Sequence, residues 1–272
     1  MPELQWILYY LILGLFVGYF SGLLGIGGGL IMVPVLIFLF EAQNLPAHNI
    51  LHLALGTSMA TILFTSLSST FQHHAHRAVN WEMVRFITPG ILLGTALGAL
   101  IVGYVATLYL TIFFILFVYF AATQMLLGAK PDATRDYPAL TEATTAGMLI
   151  GAVSSIVSIG GGVLSVPYLL WHKLPLRNAI ATSAALGFPI AFGGTLGYIA
   201  TGNLQGADLP AYSLGYVYLP ALLWLVAGTM VTAPLGAKAT HRMPVNRLKQ
   251  IFALVLFALA TRMLFKLMVS HV

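Results

Sequence analysis

Long apolar runs separated by short polar loops make up most of the chain. Asp, Glu, Lys and Arg are absent from six stretches, namely residues 6–40, 42–76, 86–129, 143–172, 178–207 and 209–237. Several of these stretches exceed the roughly 20 apolar residues that cross a hydrocarbon core as a helix. The pattern predicts an all-α polytopic membrane protein, with apolar segments at residues 6–24, 29–40, 51–71, 86–104, 108–127, 139–157, 162–171, 178–200, 214–236 and 248–269.

The first half of this pattern recurs in the second half. Residues 14–36 and 147–169 align without gaps, and each contains three consecutive glycines with a proline five residues after the last of them. A polar, proline-containing stretch between the two copies is typical of a linker. We therefore divide the chain into a first half-repeat at residues 1–127, a linker at residues 128–138 and a second half-repeat at residues 139–272.

The basic residues predict that the two halves have opposite orientations. The loop with Arg77 and Arg85 has an equivalent without Lys or Arg, and so does the loop with Lys173 and Arg177. Basic residues in short loops mark the cytoplasmic side of a membrane. Because the basic loops alternate between the halves, the sequence predicts two inverted-topology half-repeats, an architecture found in many transporters.

Inversion also constrains the segment that carries the glycines. Three ordinary helices follow it in each half, so residues 6–40 and 139–171 must each enter and leave on the same side. A second arm of about ten residues spans only about 15 Å as a helix, too little to cross alone. Each half is therefore expected to contain a broken or re-entrant Gly-rich helix pair followed by three transmembrane helices.

The two glycine turns are the predicted binding site. Consecutive glycines leave backbone N–H groups unshielded, and a following helix points its N-terminus at the turn. Such N–H groups bind anions without a buried cation. The predicted substrate-binding glycines are Gly27, Gly28, Gly29, Gly160, Gly161 and Gly162. The alternative is that these glycines only allow helices to pack closely.

Duplicated hydroxyl residues flank both turns. Ser21 and Ser154 precede the glycines at equivalent positions, and their hydroxyls can donate to anion oxygens. The pairs Thr57-Ser58 and Thr182-Ser183 begin the next helix in each half and join the predicted binding set. The alternative is that these hydroxyls bond to helical carbonyls, as Ser and Thr often do.

Composition excludes several function classes. Charged residues form 7% of the chain, too few to cover a water-facing surface, so membrane lipid is an expected partner. Cysteine is absent, which removes disulfides and thiolate catalysis. The net charge of +5 lies in short loops and does not predict nucleic-acid binding. No catalytic residues, cofactor or metal site are predicted, and oligomeric state is left open.

The motifs GLLGIGGGLIMVP and SIVSIGGGVLSVP resemble the signature of the sulfite exporter TauE/SafE family of membrane permeases. The resemblance extends to the Thr-Ser pairs and covers almost the whole chain. It implies transport of sulfite, an organosulfonate or a related sulfur-containing anion across the bacterial inner membrane. One departure is Ser158, which replaces the glycine found at position 25 of the first motif and predicts an asymmetric site.

The absence of a mid-segment carboxylate favours export. Proton and sodium coupling often uses intramembrane acidic residues, and the Asp and Glu residues fall at segment edges or in loops. An anion leaving a negative-inside cell gains about 2.3 kcal/mol per charge per 100 mV without any coupling ion. An anion channel without alternating access stays open as an alternative.

Histidines supply the other rival function. His48 and His52 are spaced four residues apart, and His73, His74 and His76 form a second cluster. A metal transporter or membrane metalloprotein is the function that such clusters suggest. However, 21 residues of helix separate His52 from His73 by about 31 Å, which places the clusters at opposite membrane faces. Interfacial histidines are therefore the favoured interpretation.

Overall fold

The computed structural model describes residues 3–128, 135, 137–204, 209–240 and 245–270. These residues form ten α-helices and one short β-hairpin. The helices are α1 (Leu4–Leu24), α2 (Gly29–Ala42), α3 (Ile50–Ala75), α4 (Trp81–Tyr104), α5 (Thr107–Leu127), α6 (Leu140–Ile156), α7 (Gly162–Trp171), α8 (Leu176–Leu204), α9 (Leu219–Thr240) and α10 (Val245–Ser270), and the strands are β1 (Ser213–Leu214) and β2 (Val217–Tyr218). Most of the predicted linker, 129–134 and 136, lies outside the described residues.

The all-α polytopic prediction is confirmed. Seven of the helices are long and apolar enough to cross a membrane, whereas α2 and α7 are shorter apolar helices. Each predicted apolar segment coincides with one helix, within a few residues at most ends. The chain is therefore a multi-pass membrane protein.

Two helix starts differ from the predicted segments. Helix α4 begins at Trp81 instead of residue 86, because Asn80 caps it by accepting a hydrogen bond from the Met83 N–H at 3.1 Å. Helix α9 begins at Leu219 instead of residue 214. The hairpin β1–β2 precedes it, and Gly215, with φ of 53°, makes the turn between the strands.

Both glycine-containing segments form helical hairpins. The side chain of Gln43, just after α2, donates a hydrogen bond to the Tyr10 hydroxyl on α1, so α2 returns toward the side where α1 begins. In the second half His172, just after α7, lies 3.5 Å from the Glu142 carboxylate at the start of α6. Each hairpin thus enters and leaves on one side, as the parity argument requires.

The larger helix contacts recur in equivalent pairs when the two halves are exchanged. The α1–α9 contact has its counterpart in α4–α6, and α3–α9 has its counterpart in α4–α8. The remaining large contacts, α3–α8 and α5–α10, each join a helix to its own equivalent. A pseudo-two-fold axis between the predicted half-repeats would produce this pattern.

Equivalent helices pack antiparallel across this axis. Met59 on α3 meets Gly194 on α8, and Ser66 meets Gly187, so the residue numbers run in opposite directions. Helices α5 and α10 do the same, since Thr107 shares a pocket with Leu267 and Gln124 shares one with Lys249. Antiparallel equivalents support the predicted inversion, whose orientation in the membrane stays a prediction.

The inversion brings the basic residues of both halves to one end of the molecule. Helix α6 runs parallel to α4, because Gly90 meets Thr144 and Gly94 meets Met148. The starts of α4, α6 and α8 therefore lie together. We call this end the basic face; its described basic residues are Arg77, Arg85, Arg135, Lys173, Arg177, Lys238 and Lys249. Arg262 and Lys266 lie at the other end, the opposite face.

Candidate functional site

The two glycine turns touch each other at the centre of the fold. A Cβ added to Gly27 would lie 2.6 Å from the Gly160 Cα, and one added to Gly160 would lie 2.8 Å from the Gly27 Cα. The Gly160 N–H donates to the Ile26 carbonyl at 3.1 Å. Any side chain here would separate the turns, so close backbone approach requires glycine at both positions.

The first residue of each short helix packs on the other turn. A Cβ on Gly29 would overlap the carbonyl oxygen of Ser158, and one on Gly162 would overlap that of Gly25. Close packing, the alternative considered from sequence, is thus one role of these glycines. This packing role does not exclude anion binding. The close contacts involve the Cα atoms of the glycines, whereas their backbone N–H groups are left without acceptors.

The turns present backbone donors at two helix N-termini. Gly28 and Gly161 cap α2 and α7 in the left-handed conformation, with φ of 82° and 80°. Among the described residues, no acceptor receives a hydrogen bond from the N–H of Gly28, Gly29, Gly161 or Gly162. Unpaired N–H groups at a helix start carry the positive end of the helix dipole.

Two serine hydroxyls beside the turns are also unpaired. Ser58 Oγ and Ser154 Oγ are fully buried and have no hydrogen-bond partner. Ser58 Oγ lies 3.2 Å from the place where a Gly29 Cβ would be, and Ser154 Oγ lies 3.7 Å from the Gly161 Cβ position. An unpaired buried hydroxyl costs about 1–3 kcal/mol. A ligand that accepts from these hydroxyls would recover that free energy.

A narrow crevice joins the turns to helices α3 and α8. It is lined by Ser21, Gly25, Gly27, Ser66, Ser69, Gly160, Ala184 and Gly187. Three predicted site residues, Ser21, Gly27 and Gly160, are therefore brought together here. Their neighbours Ser66 and Ser69 were missed from sequence. The signal was present in the run Thr65-Ser66-Leu67-Ser68-Ser69-Thr70, which is unusually polar for the middle of a membrane helix.

The remaining predicted hydroxyls are engaged within the protein. Thr57 Oγ1 accepts from the Tyr218 N–H at 2.9 Å, and Thr182 Oγ1 accepts from the Asn80 N–H at 3.0 Å. These equivalent bonds hold the loops that precede α9 and α4. Ser183 Oγ donates to the Gly25 carbonyl at 2.9 Å. These three hydroxyls therefore position the backbone around the turns.

The two Thr-Ser pairs do not converge on one ligand. Ser66 on α3 meets Gly187 on α8, and the two helices are antiparallel. Ser183, one turn before Gly187 on α8, therefore lies opposite the α3 residue about one turn after Ser66. That point is about 18 Å along α3 from Ser58 at 1.5 Å per residue. Ser58 and Ser183 therefore lie at different levels along the α3–α8 pair.

The two histidine clusters lie at opposite ends of α3, and neither supplies a side chain to the crevice beside the glycine turns. His73 bonds to the Gly22 carbonyl at 3.2 Å, while His74 accepts from the Trp81 indole at 3.1 Å. His52 stacks against Tyr216 with ring centroids 4.9 Å apart. Across the described part of the chain, no group of three His, Asp or Glu side chains is placed to hold a metal ion.

Similar proteins are named as membrane transporters. A family model described as sulfite exporter TauE/SafE matches residues 10–263. A "probable membrane transporter protein" of Haemophilus influenzae is 37% identical over 262 residues, covering 96% of this chain and 98% of the relative. One of Methanocaldococcus jannaschii is 28% identical, covering 93% and 94%. No solved structure matches the chain. With seven membrane-length helices and a family match over nearly its whole length, the chain is a membrane transporter that belongs to the sulfite exporter TauE/SafE family.

Proposed function

We propose that this transporter exports small anions, sulfite or an organosulfonate, across the bacterial inner membrane and binds them at the two glycine turns. One observation carries the proposal. Backbone N–H groups without acceptors lie beside buried serine hydroxyls without partners, and those N–H groups belong to Gly28, Gly29, Gly161 and Gly162. The family match supplies the sulfur-containing substrate class.

Neutral donors suit a substrate that must be released again. Sulfite and sulfonates present three oxygens around one sulfur, and several N–H and O–H donors can share them. Dipoles at helix N-termini stabilise such charge. No Lys or Arg side chain lines the crevice beside the turns. Neutral donors offset the free energy needed to remove water from the anion. Because no fixed positive charge lies beside the anion, it is not held so tightly that it cannot be released.

The distribution of charge gives the proposed direction. Seven described basic residues, from both half-repeats, lie on the basic face, and the positive-inside rule assigns that face to the cytoplasm. An anion that crosses from there to the opposite face moves down the membrane potential by about 2.3 kcal/mol per charge per 100 mV. The cell thus drives export without a carboxylate-based coupling site in the described helices.

Flux from proteoliposomes tests the proposal. Vesicles containing purified protein are loaded in turn with sulfite, sulfoacetate, taurine, sulfate and chloride, and efflux is measured with an imposed potential. We expect selective, saturable efflux of sulfite or sulfoacetate, faster when the loaded side is negative. Counterflow stimulation supports a carrier, whereas single-channel currents support the channel alternative. Equal efflux from protein-free vesicles for every anion would overturn the proposal.

A further inference from the structure

A cavity on the basic face reaches one of the two glycine turns. This cavity, of about 310 Å³, lies between α5, α7 and α10. It extends from Lys249 and Gln250 at the start of α10 to Gly162 and Val163 at the start of α7. We call it the inner vestibule. Its floor is therefore the second glycine turn.

The pseudo-two-fold axis requires a counterpart at the opposite face, between α10, α2 and α5. That region is closed. Helix α10 packs against α2, whereas α5 scarcely contacts α7. The Lys266 ammonium forms an ion pair with Glu41 at the end of α2, and the Arg262 guanidinium lies 4.3 Å above the Phe38 ring. Two smaller pockets remain between these helices, of about 80 and 160 Å³, and a separate apolar groove of about 710 Å³ between α1, α2 and α10 is open at its side, where Tyr9, Ile12 and Phe16 are exposed.

We infer that the inner vestibule is the route by which the anion reaches the glycine turns from the cytoplasm, and that the Lys266–Glu41 closure is the outer gate. This inference rests on the proposed function, since it concerns access to the same site. Alternating access in inverted-repeat transporters exchanges the conformations of the two halves. The structure is then the inward-facing state. Helix α5 lies away from α7, whereas its equivalent α10 packs against α2.

The lining of the vestibule fits an anion better than a cation. Lys249 places a positive charge near its mouth, and Gln124 and Gln250 supply amide donors. Among the described residues that line the vestibule, none is Asp or Glu. The rest of the wall is apolar, which keeps the local dielectric low and extends the reach of the Lys249 charge. An entering anion thus meets attraction at the mouth and helix-dipole donors at the floor.

Cysteine accessibility tests this route, because the natural chain contains no cysteine. Val166 borders the vestibule with 5% of its surface exposed, and its equivalent in the first half-repeat, Val33, is 0% exposed and lies near the closed counterpart. The variants Val166→Cys and Val33→Cys are a matched pair. Each is treated with an anionic, membrane-impermeant methanethiosulfonate from the cytoplasmic side of inside-out vesicles and from the outer side of right-side-out vesicles.

We expect Val166→Cys to react from the cytoplasmic side at least about tenfold faster than Val33→Cys, because a buried thiol reacts only during local opening. In the Val166→Cys background, Lys249→Gln should slow the anionic reagent about two- to threefold, through loss of one nearby charge. The exposed Lys238→Gln should leave that rate unchanged. Adding Glu41→Gln to Val33→Cys should increase labelling from the outer side.

The outcomes separate this inference from the proposed function. Equal protection of both cysteines, or reaction of Val166→Cys only with a lipid-soluble maleimide, would overturn the vestibule route even if anions stabilise the protein. Labelling of Val166→Cys that sulfoacetate does not slow would keep the route and contradict the anion site. Sulfoacetate serves as the protecting anion because sulfite itself reacts with thiol reagents.

Discussion

The two glycine turns share one backbone but differ in their hydroxyl groups. In the second half-repeat's helix α8, Ser183 donates to the Gly25 carbonyl and accepts from Ser165 at 2.8 Å. Its equivalent on α3, Ser58, has no partner. One contributor is a position on the short helices, where Met32 stands in place of Ser165 and removes the hydroxyl that donates to Ser183. One serine therefore supports the turn, while the other has no hydrogen-bond partner within the protein.

The difference between Ser58 and Ser183 separates features that both halves share from features that occur in only one half. The features that both halves need for folding are kept in both, namely the caps at Gly28 and Gly161 and the loop bonds of Thr57 and Thr182. The unsatisfied hydroxyls are not duplicated, since Ser58 and Ser154 come from different helices of different repeats. The proposed binding site therefore lies at the interface of the halves.

The largest effect is expected from the glycines that bring the turns together. Gly29→Ala and Gly162→Ala each place a methyl group against a backbone carbonyl of the other turn. Overpacking of this kind costs about 1–3 kcal/mol and shifts the backbone. We expect sulfite flux to be abolished in both variants, while both still insert into the membrane. Full flux in either variant would show that the turns need not touch.

Ser58→Ala and Ser183→Ala are expected to have opposite consequences. Removing Ser183 leaves the Gly25 carbonyl and the Ser165 hydroxyl unpaired, which should lower unfolding free energy by about 1–3 kcal/mol. Removing Ser58 deletes an unpartnered group, so thermal stability should be unchanged or higher. Flux through Ser58→Ala should fall about tenfold, the value of one hydrogen bond to a charged ligand. Melting curves and flux measured on the same preparations would contradict us if both variants behaved alike.

A smaller effect is expected in the crevice. Ser69→Ala removes a hydroxyl from the lining, and sulfite flux should fall about threefold, as expected for one shared donor. Ser68→Ala is the matched control, because Ser68 bonds to the Met230 carbonyl at 3.1 Å and does not line the crevice. Initial rates of efflux distinguish them. Identical rates for the two variants would remove Ser69 from the anion path.

The smallest change in stability should come from Glu41→Gln. The Lys266 and Glu41 side chains are partly exposed, and such ion pairs contribute about 0–1 kcal/mol. The melting temperature should therefore barely change, although the outer gate opens more easily. A fall of more than about 2 kcal/mol in unfolding free energy would mean that the pair holds the fold and is not a gate.

Much of the fold followed from pattern alone. Runs without charge located the helices, and the duplicated glycine motif located the hairpins, because lipid forces backbone groups to pair within each helix. The hairpin β1–β2 was missed, since its apolar residues Val217 and Tyr218 continue the hydropathy of α9. Short strands that pack against other helices leave no periodic signal of their own.

The site was only partly predictable. Its glycines were predicted because a duplicated Gly-Gly-Gly sequence indicates a backbone turn with unshielded N–H groups. Whether Ser58 or Ser183 is free depends on contacts between α3, α8 and the short helices, distant in sequence. Likewise, Ser66 could be assigned to the crevice only after the antiparallel packing of α3 on α8 was known. Contacts between helices of the two halves depend on the tertiary structure, so they could not be predicted from the sequence.

Thermal unfolding of the purified protein with added anions tests the glycine-turn site most directly. Sulfite, sulfoacetate, sulfate and chloride are compared in wild-type protein and in Ser58→Ala, with zinc as a further addition. A ligand at 100 times its dissociation constant stabilises the folded state by about 2.7 kcal/mol. We predict that sulfite or sulfoacetate raises the melting temperature of wild-type protein selectively, with a smaller rise in Ser58→Ala. No anion effect, together with strong stabilisation by zinc, would contradict the anion site.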